Sequence, residues 1–521
     1  MNIIIQSMRD TAQKIRLRSG RKNPERNRMY YIGIDLGTSA VKLLLMDGEG
    51  AVQKIVSREY PVEYPAPGWS QQNPEDWRRE SFAGIRELTD GLSPEDVRGI
   101  SFGGQMHGLV ALDKTDRVIR PAILWNDGRC KEETDYLNET IGRERLFSLT
   151  GNIAFAGFTA PKLLWMRKHE PDLFRRIRKI MLPKDYLAYC LTGVHSTDYS
   201  DASGTLLLDV KRRVWSEEML DICGVSMEQM PRLFESFEPV GRVKPELAAG
   251  LGVAESCVVA AGAGDNAAAA VGTGTVGEGG CNISVGTSGT VFISGRSFRA
   301  DNNYALHAFA HADGCYHLMG CMLSAASCNK WWMDGILGTG DYQREQEAVG
   351  ALGENPVFFL PYLMGERSPH NNPDARGVFI GLSMDTDRAR MTQAVLEGVA
   401  FAIRDSFEVA KSLGISPEQA SICGGGARSA LWKRIFANVL NKRIAELETE
   451  EGPSLGAAML AAVADGAFPC VEAAAGRIVK TVRIIEPEPA LAAKYEARYQ
   501  KFRKLYPALE KVFGEIVQQL K

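Results

Sequence analysis

One short pattern occurs twice in this chain, and few folds can hold it twice. Residues 32–50 read IGIDLGTSAVKLLLMDGEG, and residues 282–295 read NISVGTSGTVFISG. Each is a strand-forming run, a Gly-Thr-Ser turn and a second strand-forming run, the signature of a β-hairpin turned on a glycine. Asp35 stands two residues before Gly37 in the first copy, and Ser284 takes the matching place before Gly286 in the second. At 521 residues the chain is too long for one hydrophobic core. The expectation is two related halves, each opening on its own hairpin and facing the other across a cleft. Strands alternating with helices make the class α/β. We place the boundary near Gly277, with an N-terminal domain over 29–276 and a C-terminal domain over 277–521.

A doubled hairpin of this kind suits a phosphate chain. A glycine in a tight strand-to-strand turn lets backbone amides approach an anion, and Thr and Ser hydroxyls add donors. Gly37, Thr38 and Ser39 in one turn and Gly286, Thr287 and Ser288 in the other are positioned to grip one nucleotide from two sides. The unmatched carboxylate then has a task. Asp35 can hold Mg²⁺, directly or through water, where the ion bridges the phosphates. Other nucleotide motifs fail. There is no G-x-x-x-x-G-K-[ST], and GTGTVG at 272–277 follows an alanine-rich segment rather than a strand, so it lacks the context of a dinucleotide fingerprint.

The bulk properties exclude other classes. A net charge of −3 argues against nucleic-acid binding by bulk electrostatics, and no apolar run approaches the ~18 residues of a membrane span. Ten cysteines without a C-x-x-C pair point to a reducing cytoplasm. Residues 1–28 carry eight Lys or Arg against Asp10 and Glu25 and lack an apolar signal core. They are expected to be a disordered basic leader, with Met29 as an alternative start.

Local signals place several elements. Asn73 as N-cap, Pro74 at the first helical position and Asp76 in the first turn predict a helix over 74–88. VRGISFGGQMHGLVALD reads as strand, glycine turn, strand. GFTAPKLLWMRKHEP begins a helix that Pro171 would stop. HAFAHADGCYHLMGCML reads as a hairpin with Asp313-Gly314 as its turn. ASICGGGARSALWKRIFANVL reads as a strand, a glycine turn and a helix. Tyr495, Tyr499, Phe502 and Tyr506 recur at three- and four-residue steps, one apolar helical face broken at Pro507.

These stretches carry a resemblance. GQMHG, RPAILWNDGRC, GFTAPKLLW, LPKDYL, GDNAAAAVG, SVGTSGT, LSAASC, FLPYLMGERSPHNNP and GGGARS, in this order, are similar to motifs of the FGGY carbohydrate kinases, and to their D-xylulose-phosphorylating branch in particular. That family belongs to the actin–Hsp70–sugar kinase superfamily. The resemblance implies two duplicated actin-like (ribonuclease H-like) domains flanking a cleft, sugar on the first and ATP on the second. It implies Asp265 as the general base that takes the proton from the attacking sugar hydroxyl. Met106, His107 and Asn266 would line the sugar site beside Asp265. Asp35 would hold Mg²⁺, Gly425, Gly426 and Ala427 would pass beneath the adenosine and phosphates, and Ser429 would reach the base or ribose. Asp265-Asn266 stands where glycerol kinases show Asp-Gln-Gln, which favours a ketose over glycerol. The expected cofactors are ATP and Mg²⁺, and the expected partner is a small sugar, with neither nucleic acid nor membrane involved and a homodimer allowed.

Other readings of the residues compete. Asp265 could serve only as a helix N-cap. Trp331 is a candidate for the adenine pocket, with core packing as its alternative. His307, His311, Cys315, His317 and Cys321 cluster in one hairpin on paper like a zinc set. However, His307, Phe309 and His311 alternate like one strand face and no ligand spacing fits, so no metal is assigned there. A chaperone-like ATPase would need a peptide-binding domain in place of the helices that end this chain. A silent sugar sensor would be expected to lack Asp35 or Asp265.

Overall fold

A computed structural model of the chain describes residues 28–449 and 451–518. The expected leader over 1–28 therefore lies, but for Arg28, outside the described residues. Two large sheets organise the chain. The first contains β1 (Tyr30–Leu36), β2 (Ala40–Asp47), β3 (Val52–Glu59), β4 (Val97–Gly104), β5 (Pro239–Arg242) and β6 (Val258–Ala260) in the order β5-β6-β4-β1-β2-β3, with β7 (Ala263–Gly264) also pairing with β4. The second contains β8 (Cys281–Val285), β9 (Gly289–Gly295), β10 (His307–Ala310), β11 (Tyr316–Met322), β12 (Gln419–Cys423), β13 (Arg443–Leu447) and β14 (Thr481–Ile485) in the order β10-β11-β9-β8-β12-β13-β14.

The duplication is visible in the pairing. In each sheet the repeated hairpin is antiparallel (β1 with β2, β8 with β9), and the hairpin's first strand pairs in parallel with a later strand (β4, β12). That later strand pairs in parallel with another (β6, β13), while the hairpin's second strand takes a third antiparallel neighbour (β3, β11). β1 is apolar nearly throughout because Tyr31, Ile32, Ile34 and Leu36 are all fully buried between covering layers.

One face of the first sheet is covered by α1 (Pro74–Thr89) and α3 (Pro183–Thr192), with α2 (Thr159–His169) and the short α4 (Tyr199–Ser203) in the adjoining lobe. The α1 start is as expected: the Asn73 carboxamide oxygen accepts the Glu75 N–H at 3.1 Å, and Trp77, Ile85 and Leu88 turn inward. The other face is covered by α5 (Asp265–Gly272) and by α8 (Gly452–Ala464), which comes from far along the chain. Between them in sequence lie α6 (Arg388–Ser412) and α7 (Ala430–Leu440), which pack on the second sheet.

α5 and α8 meet backbone to backbone. A Cβ on Gly456 would stand 1.9 Å from the Ala268 carbonyl oxygen, one on Gly272 2.0 Å from the Gly452 carbonyl oxygen, and one on Gly33 of β1 1.9 Å from the Ser454 carbonyl oxygen. The alanine-rich composition is thus a packing requirement: no side chain fits at the crossing.

The β10–β11 hairpin forms as predicted, and it bridges the halves. The Asn152 carboxamide exchanges hydrogen bonds with the Ala308 backbone at 2.9 and 3.2 Å, and the Ala310 N–H donates to the Ser203 hydroxyl at 3.0 Å. Side chains of the first half therefore pair the open edge of β10, as an edge strand requires.

Two local expectations need correction. Pro171 does not only end α2; it opens a further helical turn, Pro171–Phe174. The C-terminal face of Tyr495, Tyr499, Phe502 and Tyr506 is buried, but the break lies between α9 (Pro489–Phe502) and α10 (Leu505–Gln518). Pro507 is the third residue of α10, where a missing N–H costs nothing because no intrahelical acceptor precedes it. No helix among the described residues is long and apolar enough to cross a membrane.

The α5–α8 contact yields a stability prediction. Gly456→Ala should destabilise the protein by at least ~1–3 kcal/mol, the cost of overpacking without a yielding side chain. Gly476→Ala, in an exposed helix position with open space around it, should stabilise by roughly 0.5–1 kcal/mol. Equilibrium denaturation of the two variants checks the contrast, and a neutral Gly456→Ala would refute the close contact.

Candidate active site

The carboxyl ends of β1, β4 and β7 converge, and open α/β sheets bind ligands at such ends. Asp35 is the penultimate residue of β1, in register with Gly103 of β4, and β7 pairs with β4 at Gly103 and Gly104. Asp265 follows β7 directly as the first residue of α5. The two acids therefore stand at strand ends separated by a single strand made of glycine there. Asp265 is not the N-cap, a position held by Gly264. Its carboxylate accepts the Asn266 backbone N–H at 2.7 Å and the Asn266 side-chain N–H at 3.0 Å.

Burial raises both carboxyls. Burial, then the Asp265 charge, raises Asp35 to about 7, while Lys42, directly across the hairpin, opposes the shift. Burial raises Asp265 only to about 6 because the Asn266 bonds favour its ionised form. Among the described residues no donor is hydrogen-bonded to the Asp35 carboxylate. A carboxylate that no protein donor occupies fits a hard cation such as Mg²⁺, which takes one or two carboxylates plus phosphate oxygens and would displace any proton held there.

Met106 and His107 follow β4 and lie against this corner. A Cβ on Gly264 would reach Met106 at 2.9 Å, and one on Gly204 would reach the His107 ring at 2.5 Å. His107 has a φ of 70°, the left-handed region that non-glycine residues seldom occupy. Three bonds hold it there. The His107 carbonyl accepts from the buried Lys162 ammonium at 2.8 Å and from the Thr159 hydroxyl at 3.1 Å, and the Nδ1–H donates to the Gly204 carbonyl at 2.7 Å. That last bond leaves Nε2 with a lone pair. Burial, then the nearby Lys162 and Arg367 cations, lowers the imidazole to about 3.

The two Gly-Thr-Ser turns have diverged. In the first, the Thr38 hydroxyl donates to Gln105 at 3.2 Å and accepts from the Trp125 indole at 3.0 Å, and the Thr38 carbonyl accepts from Gln72 at 2.6 Å. In the second, the Thr287 and Ser288 side chains are exposed, with no protein partner among the described residues. A cavity of about 1070 Å³ joins the second turn to the glycine turn after β12. Gly286, Thr287, Lys330, Gly425, Gly426 and Ser429 line it. The structure does not bring every expected residue there. Gly37, Thr38, Ser39 and Ser288 are outside its lining, and Ala427 packs on the core instead. Trp331 stacks on Phe359 in the core at 6.0 Å, the packing alternative. Ser429 caps α7, accepting the Trp432 N–H at 3.0 Å while donating to Gln346.

Comparison with known proteins bears on this geometry. Residues 30–272 match the model of the FGGY family of carbohydrate kinases, N-terminal domain, and residues 281–464 match its C-terminal domain. Xylulose kinase of Escherichia coli (strain K12) is 43% identical over 487 residues, covering 92% of this chain and 99% of that protein. Xylulose kinase of Bacillus subtilis (strain 168) is 37% identical over 482 residues, covering 92% and 96%. The crystal structure of a xyloylose kinase from Brucella ovis superposes with a TM-score of 0.88 at 42% identity, covering 93% of this chain and 100% of that one. The chain belongs to the FGGY family of carbohydrate kinases.

Several residues of this carbohydrate kinase's cleft escape a reading by motif. Lys42 sits opposite Asp35 and bonds Glu451 at 3.1 Å, linking the first hairpin to the start of α8. Trp125 is exposed although its indole is anchored on Thr38. Lys162 acts on His107 from inside the lobe. Trp125 and Lys162 lie in stretches that carry the family resemblance, LWND and GFTAPKLLW, but neither stretch shows what its side chain contacts. The others depend on register and long-range packing.

The kinase's His107 should stay neutral across physiological pH. With its folded pKa lowered to about 3 and an ordinary value of ~6.5 unfolded, the unfolded chain binds the extra proton. This group's stabilising share is therefore complete above ~6.5 and shrinks as pH falls toward 3. NMR titration of the imidazole carbons should be flat from pH 5 to 8, and a midpoint near 6.5 would contradict the assigned environment.

Proposed function

We propose that this kinase transfers the γ-phosphoryl group of ATP to O5 of D-xylulose, forming D-xylulose 5-phosphate and ADP in the reducing cytoplasm. Two things support the reading: the extent of identity with curated xylulose kinases, and the opposed pair Asp35 and Asp265 beside His107. The juxtaposition of those two buried acids at neighbouring strand ends is the single observation that carries it.

In the proposed reaction the sugar lies along Met106 and His107, with Asn266 offering both donor and acceptor. Its terminal hydroxyl faces Asp265. Asp265 accepts the O5 proton as O5 bonds to the γ-phosphorus, and the bond from that phosphorus to the β–γ bridging oxygen breaks, releasing ADP. The triphosphate binds along the free hydroxyls of Thr287 and Ser288 and the backbone at Gly286, Gly425 and Gly426, with Ser429 near the nucleoside. Gly37, Thr38 and Ser39 close over it from the first half, the tied Thr38 giving a rigid edge. Asp35 would hold Mg²⁺, which when bound would supply charge neutralisation on the phosphates. Closure of the halves excludes water, which would otherwise accept the phosphoryl group.

Among related structures, two from Lactobacillus acidophilus, both 26% identical to this chain with a TM-score of 0.89, are described as a gluconate kinase and as a ligand-bound xylulose kinase. The fold alone therefore does not choose the sugar. A coupled assay over D-xylulose, D-ribulose, L-ribulose, xylitol, glycerol and D-gluconate should give the highest kcat/KM with D-xylulose. Preference for another member of the panel would replace the substrate, not the chemistry. Asp265→Ala should lower kcat by about 10²–10⁴-fold while MgADP binding, measured calorimetrically, stays within a few-fold of wild type. Wild-type turnover in that variant would remove Asp265 as the base.

A further inference from the structure

Arg367 belongs to the second half of the chain, yet its side chain lies beside the first half's His107. Its guanidinium carbon sits 4.2 Å from the Phe155 ring centre and 5.7 Å from that of Phe158. Phe158 packs against the His107 ring with centres 4.6 Å apart. The cation is also among the charges acting on His107. Arg367 is half-buried as a residue, with its Nε buried.

This cation lacks a counterion. Among the described residues no carboxylate makes an ion pair with it, and its buried Nε has no hydrogen-bond partner. The adjacent Glu366 does not serve. One of its carboxylate oxygens accepts the Leu323 N–H at 3.0 Å and the Arg367 backbone N–H at 2.7 Å. Burial raises Glu366 to about 8, which leaves it largely uncharged at neutral pH. The polar group beside the guanidinium is the Cys321 thiol, a weak partner. An arginine offers five donors, and leaving the buried Nε–H unmet next to aromatic rings is costly. The aromatic faces account for part of its placement, but not for the unpartnered Nε–H.

We infer that Arg367 is a sugar-binding residue which the second half contributes to the first half's site, donating to the oxygens of an α-hydroxyketone at the sugar end remote from the phosphorylated hydroxyl. The order along the wall supports this end. Asp265 follows Gly264, Gly264 abuts Met106, His107 comes next, Phe158 lies against His107, and Arg367 covers Phe158. A short sugar with its terminal hydroxyl at Asp265 directs its other end toward Arg367. There the His107 Nε2 lone pair accepts a hydroxyl proton while the guanidinium donates to the carbonyl oxygen and its hydroxyl neighbour. An anionic phosphate is the poorer occupant, because Arg367 does not line the cavity assigned to the nucleotide. The residue also makes sugar affinity depend on the two halves being together. The inference rests on the proposed sugar kinase reading and deepens it.

The test compares wild type, Arg367→Gln and Arg367→Met on D-xylulose and on xylitol, which has no carbonyl. Methionine keeps an apolar stem over Phe155, so it retains the fold if the glutamine variant does not. Thermal unfolding and MgADP binding report that the variants are folded. The KM for D-xylulose should rise about 10- to 100-fold, the range for hydrogen bonds to a charged group. The KM for MgATP should stay unchanged, and kcat/KM for xylitol should change less than about threefold, so that discrimination between ketose and polyol collapses. A folded Arg367→Met with wild-type KM for D-xylulose would show a purely structural cation–π contact and overturn the inference, as would equal losses on both substrates. Failure of the wild-type enzyme to phosphorylate D-xylulose would instead overturn the proposed function.

Discussion

The backbone contact between α5 and α8 over β1 sets the positions of everything else in the cleft. Three glycines, Gly33, Gly272 and Gly456, sit at places where any Cβ would fall within about 2 Å of a carbonyl oxygen. The contact joins an element of the first half to one that follows the last parallel strand of the second. Both helices bring chemistry with them at their starts: α5 opens on Asp265, and α8 is preceded by Glu451, which pairs with Lys42 opposite Asp35. Close packing transmits small displacements because it has no slack. The separation of the two carboxylates is therefore governed by residues that touch no ligand.

On this frame the duplicated halves have taken different work. Their strand orders correspond, yet the first turn is tied through Thr38, Gln105, Gln72 and Trp77, whereas the second keeps its hydroxyls free. A turn whose donors are already bonded makes a rigid edge. A turn with free donors can exchange water for phosphate oxygens without breaking a protein bond. The unmatched Asp35 belongs to the rigid copy. An acid in the free copy would repel the phosphates those hydroxyls are placed to meet.

The duplication, the helix starts and Asp265 were legible because each is written locally: a glycine in a turn, a cap, an acid opening a small-residue helix. Other features were not, for identifiable reasons. The alanine-rich stretches advertise close packing without naming the partner, and α8 covers a sheet whose first strand, β1 (Tyr30–Leu36), lies near the other end of the chain. The Lys42–Asp35 opposition depends on hairpin register. Pro507 misled because a proline breaks a helix from its interior but not from its first turn. The histidines of the β10–β11 hairpin resemble a metal set in one dimension. In three, His317 stacks on Phe292 with centres 3.9 Å apart, and His311 bonds the Thr275 carbonyl at 2.9 Å.

Strain and charge at His107 follow from one arrangement. A left-handed backbone on a non-glycine residue persists only where its surroundings over-determine it. Lys162, Thr159 and Gly204 do so here, and the absence of a side chain at Gly204 lets the imidazole approach the carbonyl it bonds. Burial lowers Lys162 itself to about 7, so this ammonium is charged for only part of the time at neutral pH, yet it donates to the His107 carbonyl in either form. Lys162 and Arg367 approach the imidazole from opposite halves of the molecule. Together with burial they disfavour imidazolium and keep an uncharged ring whose free nitrogen can only accept. A ring that accepts, a guanidinium that donates and a carboxamide that does both form a set suited to a neutral polyhydroxy ketone. The acidic pair beside them would repel an anionic sugar.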